Sequence, residues 1–133
     1  MALWKGLKEG VIHSVVSDHH PIEVECKEVE FDQASFGTIG LETLAVAFIQ
    51  EAKNQGIEKS DLYLSHNPSS FLGISLPELK VGEEMKGMLL GIEKNTYEVV
   101  DIVSKSTNSL FIGYSFDYKI VGVFNGLNHF YGQ

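Results

Sequence analysis

An apolar run, Val11-Ile12-His13-Ser14-Val15-Val16, stops abruptly at the polar cluster Ser17-Asp18-His19-His20-Pro21, and this switch constrains the fold more than any other feature. Such a run, bounded by turn-forming residues, reads as a strand that delivers side chains to its C-terminal end. Its near-continuous apolar character predicts a parallel strand covered on both faces. His13, inside the run, is read as a core or hydrogen-bonded histidine, because no spaced partner marks it as a ligand. A loop from Glu23 to Asp32 follows, with Glu23, Glu25, Glu28, Glu30 and Asp32 set against Lys27. It reads as a solvated surface loop, or as a lid over a site. Phe36-Gly37-Thr38-Ile39-Gly40 then opens a helix whose apolar residues Leu41, Leu44, Ala45, Phe48, Ile49 and Ala52 keep the i, i+3, i+4 spacing. The order is strand, charged loop, helix.

Flanking this unit, Leu3 to Gly10 predicts a short helix stopped by Gly10, and the long helix is expected to end at Asn54-Gln55-Gly56 with Gly56 just past its last turn. Ser60-Asp61 signals the start of a second, shorter helix carrying Leu62, Tyr63 and Leu64, broken by Asn67-Pro68. Ser69 to Gly73 suggests one more helical turn. Beyond Gly82 the pattern becomes strand-like: Met88–Ile92, Tyr97–Val100, and a pair, Lys119–Phe124 and Leu127–Tyr131, flanking Asn125-Gly126. Asn-Gly suits a type I′ turn, so this pair predicts a hairpin. The expected division is 1–80, strand and helices, and 81–133, β-rich.

Two separated stretches, Ser17-Asp18-His19-His20-Pro21 and Phe31-Asp32-Gln33-Ala34-Ser35-Phe36-Gly37-Thr38-Ile39-Gly40-Leu41-Glu42-Thr43, resemble motifs of the dihydroorotases, zinc-dependent cyclic amidohydrolases. Their order and separation match the family as well. Ser65-His66-Asn67-Pro68 is similar to the family's S-x-N-P turn, and Ser104-Lys105-Ser106-Thr107-Asn108 to its S-K-S-x-N segment. The resemblance covers nearly all of this chain but only the C-terminal third of a family member. It implies an α/β fold: the last strand and helix of a TIM barrel, then C-terminal strands of a small β-sandwich. It also implies that Asp18 touches the metal and acts as general base and then general acid, moving a proton to the departing amide nitrogen. The alternative for Asp18 is a solvated Asx-turn ahead of Pro21. Phe36 and Gly37 resemble the backbone contact to the substrate ring, dihydroorotate in this family. Two departures stand out. Ile22 replaces a polar residue that contacts the substrate carboxylate, and Ile has no hydrogen bond to donate. Gly82-Glu83-Glu84-Met85-Lys86 replaces a G-x-x-A-D run.

His19 and His20 are neighbours whose side chains diverge on an extended segment, so neither is read as a zinc ligand. His66 and His129 stand alone. The zinc of the parent protein would therefore need ligands from outside this chain, and none is expected to bind the chain alone. Size agrees, since a barrel takes about 250 residues and this chain has 133. Met1-Ala2-Leu3 reads as an added leader. Net charge of −8 without a basic cluster argues against nucleic acid and anionic membrane surfaces. With neither an 18-residue apolar run nor a basic-apolar leader, transmembrane and secretory readings are not expected. Cys26 stands alone, so a reducing cytoplasm is expected. The reading is an inactive C-terminal portion of a dihydroorotase-like enzyme, with a non-catalytic dihydroorotase-like assembly protein as the alternative. Unpaired strand edges predict a homo-oligomer.

Overall fold

The computed structural model describes residues 2–131. Three helices precede residue 72 and five strands follow residue 85. Helix α1 spans Ala2–Lys8, α2 Leu44–Asn54 and α3 Asn67–Phe71, the last continuing a π-helical stretch, Leu62–His66. Ala2 and Leu3, expected as an added leader, form the first turn of α1; Met1 lies outside the described residues. Gly56 takes a left-handed φ of 73° after α2, which lets its N–H reach the Lys53 carbonyl and that of Ile57 reach Ala52. A residue without Cβ adopts this geometry freely, so the stop is local and readable.

Strands β1 (Lys86–Gly91), β4 (Lys119–Asn125) and β5 (Asn128–Tyr131) form an antiparallel sheet in the order β1-β4-β5. Strands β2 (Asn95–Tyr97) and β3 (Tyr114–Phe116) pair separately, also antiparallel. The fold is therefore α/β with two small antiparallel sheets. Among the described residues no helix is long and apolar enough to cross a membrane.

Residues 11–16, expected as a covered parallel strand, form no strand. A strand exists only through its ladder, and no described segment supplies one. Val15 N–H reaches a single carbonyl, that of Tyr63 at 3.0 Å, and the Asn67 amide donates to the His13 carbonyl at 2.8 Å. Val11 and Val16 are exposed, and so is His13, which is expected as a core or hydrogen-bonded residue and is not in the core. Pro68 does not break a helix either. It falls in the first turn of α3, where its missing N–H leaves no bond unmade. The Tyr97–Val100 strand ends early: Val99–Asp101 turn into a 3₁₀ helix, with Glu98 and Asp101 capping each other's backbone. The hairpin forms, but its loop is Gly126-Leu127, because Asn125 pairs with Asn128. Gly126 has φ 64° and Leu127 is not in the left-handed region, the pattern of a type II′ turn rather than type I′.

Two apolar clusters form the core. Leu7, Phe48 and Ala52 gather Trp4, Ile12, Val15, Tyr63 and Leu64, with Trp4 stacked on Phe48 at 5.8 Å. Val46, Tyr97 and Phe116 gather Leu90, Ile102, Phe111 and Ile120, so α2 touches both clusters from successive faces. Phe116 is 2% exposed and Phe31 97%. Phe116→Ala is expected to lower unfolding free energy by about 3–5 kcal/mol and Phe31→Ala by less than about 0.5 kcal/mol, as read from urea denaturation midpoints.

Candidate functional site

The segment Ser17–Pro21 is held by its own His19 side chain, by one backbone bond from His20 and by the Asn108 amide. Asp18 has φ 43°, the one non-glycine residue in the left-handed region among those described. Asp tolerates that region better than most residues, but it remains an uncommon backbone state that the surroundings must impose. His19 imposes part of it. Its Nδ1 accepts the N–H groups of Gly40 and Leu41, at 3.1 and 3.3 Å, where the chain enters α2. That nitrogen must be unprotonated to accept, so the ring proton sits on Nε2. His20 donates its backbone N–H to the Thr38 carbonyl at 2.9 Å.

Gly37 lies directly against His20. A Cβ at Gly37, whose φ is 121°, would come within 2.9 Å of the His20 Cβ and 3.2 Å of Ile22 Cδ1. In this chain the segment packed against Gly37 is His-His-Pro. Phe36 beside it is 93% exposed. Ile22 is buried, its side chain turned toward Gly37.

The acidic loop is closed on itself. Lys27 reaches across it and donates to the carbonyls of Ser35 at 2.6 Å and Gly37 at 2.8 Å, while Ser35 N–H bonds the Cys26 carbonyl. Its carboxylates Glu23, Glu25, Glu28, Glu30 and Asp32 stay exposed. A cleft of about 660 Å³ opens between Pro21–Glu28 and Lys105–Asn108. Another, of about 320 Å³, is lined by Lys27, Phe31, Phe36, Gly37 and Leu110. Asp18 lines neither.

Sequence reasoning passed over the residues that join these pieces. Asn108 accepts Ile22 N–H on Oδ1 at 3.2 Å and donates from Nδ2 to the carbonyls of His20 at 3.0 Å and Gly37 at 3.4 Å. Its own carbonyl receives Ile39 N–H and the Thr38 hydroxyl. Ser106 Oγ shares its proton between the Ile22 carbonyl and Asn108 Oδ1. Glu42 receives the Tyr97 hydroxyl at 2.7 Å and the N–H groups of Val103 and Ser104 at 3.2 and 2.8 Å. The only advance signal was the presence of these residues inside the motif segments.

Among the described residues no group of three His, Cys, Asp or Glu could hold a metal ion. His19 has turned one ring nitrogen to backbone donors, and Asp18 is one carboxylate. This donor set does not fit a zinc site by itself.

Burial, and then the hydrogen bond to Glu42, push the Tyr97 hydroxyl well above its ordinary titration range. Folding thus holds a proton that the unfolded chain releases above about pH 10. The stability from this pair is complete below that pH and is lost as pH rises beyond it. Glu42→Gln removes the charged acceptor and is expected to cost about 1–3 kcal/mol. In an ultraviolet titration it should also bring the latest of the tyrosine transitions back toward the others.

No family model matches the chain. Curated relatives do. The chain is 41% identical over 117 residues to the dihydroorotase of Caldicellulosiruptor saccharolyticus and 39% over 116 residues to that of Elusimicrobium minutum. It is 36% identical over 118 residues to the dihydroorotase of Desulforapulum autotrophicum. These alignments take in 84–85% of this chain and 27% of each relative. The chain is dihydroorotase-like, and it spans about a quarter of the length of the curated relatives it matches, as a C-terminal portion would.

Proposed function

Taking the chain as a stretch of a dihydroorotase-like protein, we propose that its parent interconverts dihydroorotate and N-carbamoyl-aspartate by opening and closing a cyclic amide. Water oxygen bonds to the amide carbon, the ring C–N bond breaks, and Asp18 carries the proton from the attacking water to the leaving nitrogen. A positioned carboxylate suits this, because the same group serves as base in one half of the reaction and acid in the other. Phe36 and Gly37 meet the substrate ring with their backbone. The supporting observation is the gathering of the His-His-Pro, Phe-Gly-Thr and Ser104–Asn108 segments around the Asn108 amide. These are the stretches that resemble the family.

In this reading residues 1–80 close a barrel and residues 81–133 join a sandwich, each completed by chain outside these 133 residues. Zinc enters only with ligands from that same outside portion, and the isolated chain neither binds it nor turns over substrate. The setting is the cytoplasm, and the small-molecule substrate is met by a homo-oligomer. The oligomer is supported by exposed apolar side chains along Phe71, Leu72, Ile74, Leu79 and Val81, where wet apolar surface costs about 25 cal/mol per Å². Sedimentation is expected to give a dimer or larger assembly at micromolar concentration, and a compact monomer would refute it.

A second reading, a non-catalytic dihydroorotase-like assembly protein, is favoured by Ile22. Where the resemblance expects a polar contact to the substrate carboxylate, this chain has a buried apolar side chain. One experiment separates the two. In the full-length parent, Asp18→Asn keeps the shape and removes the basic oxygen, so turnover of dihydroorotate should fall by about 10²–10⁴-fold. No turnover by the unsubstituted parent would establish the second reading, and undiminished turnover in the variant would refute the role of Asp18.

A further inference from the structure

Asn108 is 86 residues from Ile22 and 71 from Gly37, yet it bonds to both of their backbones. A side-chain amide has one carbonyl and two N–H bonds, and here the surroundings fix which end faces which way. Oδ1 meets the Ile22 N–H and the Ser106 hydroxyl, while Nδ2 meets the carbonyls of His20 and Gly37. Turning the amide over would set donor against donor and oxygen against two oxygens. Nδ2 thus spans the two loops: one carbonyl two residues past Asp18, the other one residue past Phe36. The other links between these loops among the described residues are the His20 N–H to the Thr38 carbonyl and the His19 Nδ1 on the N–H groups of Gly40 and Leu41.

We propose that Asn108 is a positioning residue, whose two amide donors set the spacing between the loop carrying Asp18 and the loop carrying Phe36 and Gly37. Ser106 completes the device by holding Oδ1 and the Ile22 carbonyl on one hydroxyl. Asn108 touches no reacting atom in this scheme. Its catalytic consequence rests on the dihydroorotase-like reading above, whereas the clamp itself does not.

The test uses two substitutions. Asn108→Asp keeps the acceptor oxygens and removes the donors; Asn108→Ala removes both. Amide hydrogen exchange in the 133-residue chain is expected to rise about 3- to 10-fold at Ile22 in the Ala variant and to change little there in the Asp variant, since a hydrogen bond of ordinary net strength is lost only in the first. At His20, whose N–H bonds the Thr38 carbonyl and not Asn108, exchange should rise in both variants because the loops part. Ile57, bonded at the far end of α2, reports global unfolding and should stay unchanged in the Asp variant. Unchanged exchange at His20 in both variants overturns the clamp. In the full-length parent, Asn108→Asp is expected to lower kcat about tenfold or more with KM within about threefold, the signature of lost alignment rather than lost binding. Undiminished kcat alongside faster His20 exchange overturns the positioning role. If the unsubstituted parent turns over no dihydroorotate, the reading of function fails instead, and exchange alone decides the clamp.

Discussion

Irregular backbone leaves N–H and C=O groups without ladder or helix partners, and burying them unpaired costs more than most single contacts return. Residues 9–43 of this chain are mostly of that kind. Their solution is to borrow acceptors and donors from polar side chains far along the sequence, and Asn108 carries the largest share. Four of its side-chain bonds and two to its carbonyl fall on residues 20–39 and on Ser106.

Glu42, Lys27 and Asn67 repeat the device. Glu42 fastens the start of the Ser104–Asn108 segment from the other end, so that this short stretch is held at both sides. Lys27 places a charged donor on two carbonyls within its own loop, and Asn67 ties the irregular residues 11–16 to the start of α3. Charged and amide partners suit this task because they satisfy several groups at once, and the charged ones do so with stronger bonds than neutral groups make. Among the described residues one buried side-chain polar atom is left out: the Thr43 hydroxyl has no partner.

The apolar side is less complete. The two clusters take in α1, α2 and the β2–β3 pair, whereas β5 and residues 71–84 lie fully at the surface. An exposed sheet edge and a wet apolar stretch in one molecule are the features that further chain or another copy would cover. That inference agrees with a chain spanning 27% of its relatives.

Local chemistry was legible in the sequence. Gly10 and Gly56 mark helix ends because a left-handed residue is a property of one position. The periodicity from Leu41 to Ala52 finds the helix, although it begins at Leu44 and leaves Leu41 exposed in the turn before it, and the fragmentary dihydroorotase likeness is confirmed by relatives aligned over most of the chain. The hairpin was visible too, but its loop shifted by one residue to Gly126-Leu127, since cross-strand pairing and not the dipeptide sets register. What only the tertiary structure decided depends on partners distant in sequence. Val11–Val16 has the composition of a strand but no neighbour to form a ladder with, and His13 is exposed for the same reason. Asn108 and Glu42 are ordinary polar residues in a linear reading. Their roles arise because folding brings their side chains to backbone groups 61 to 88 residues away, and no local pattern records which side chain will meet which backbone group.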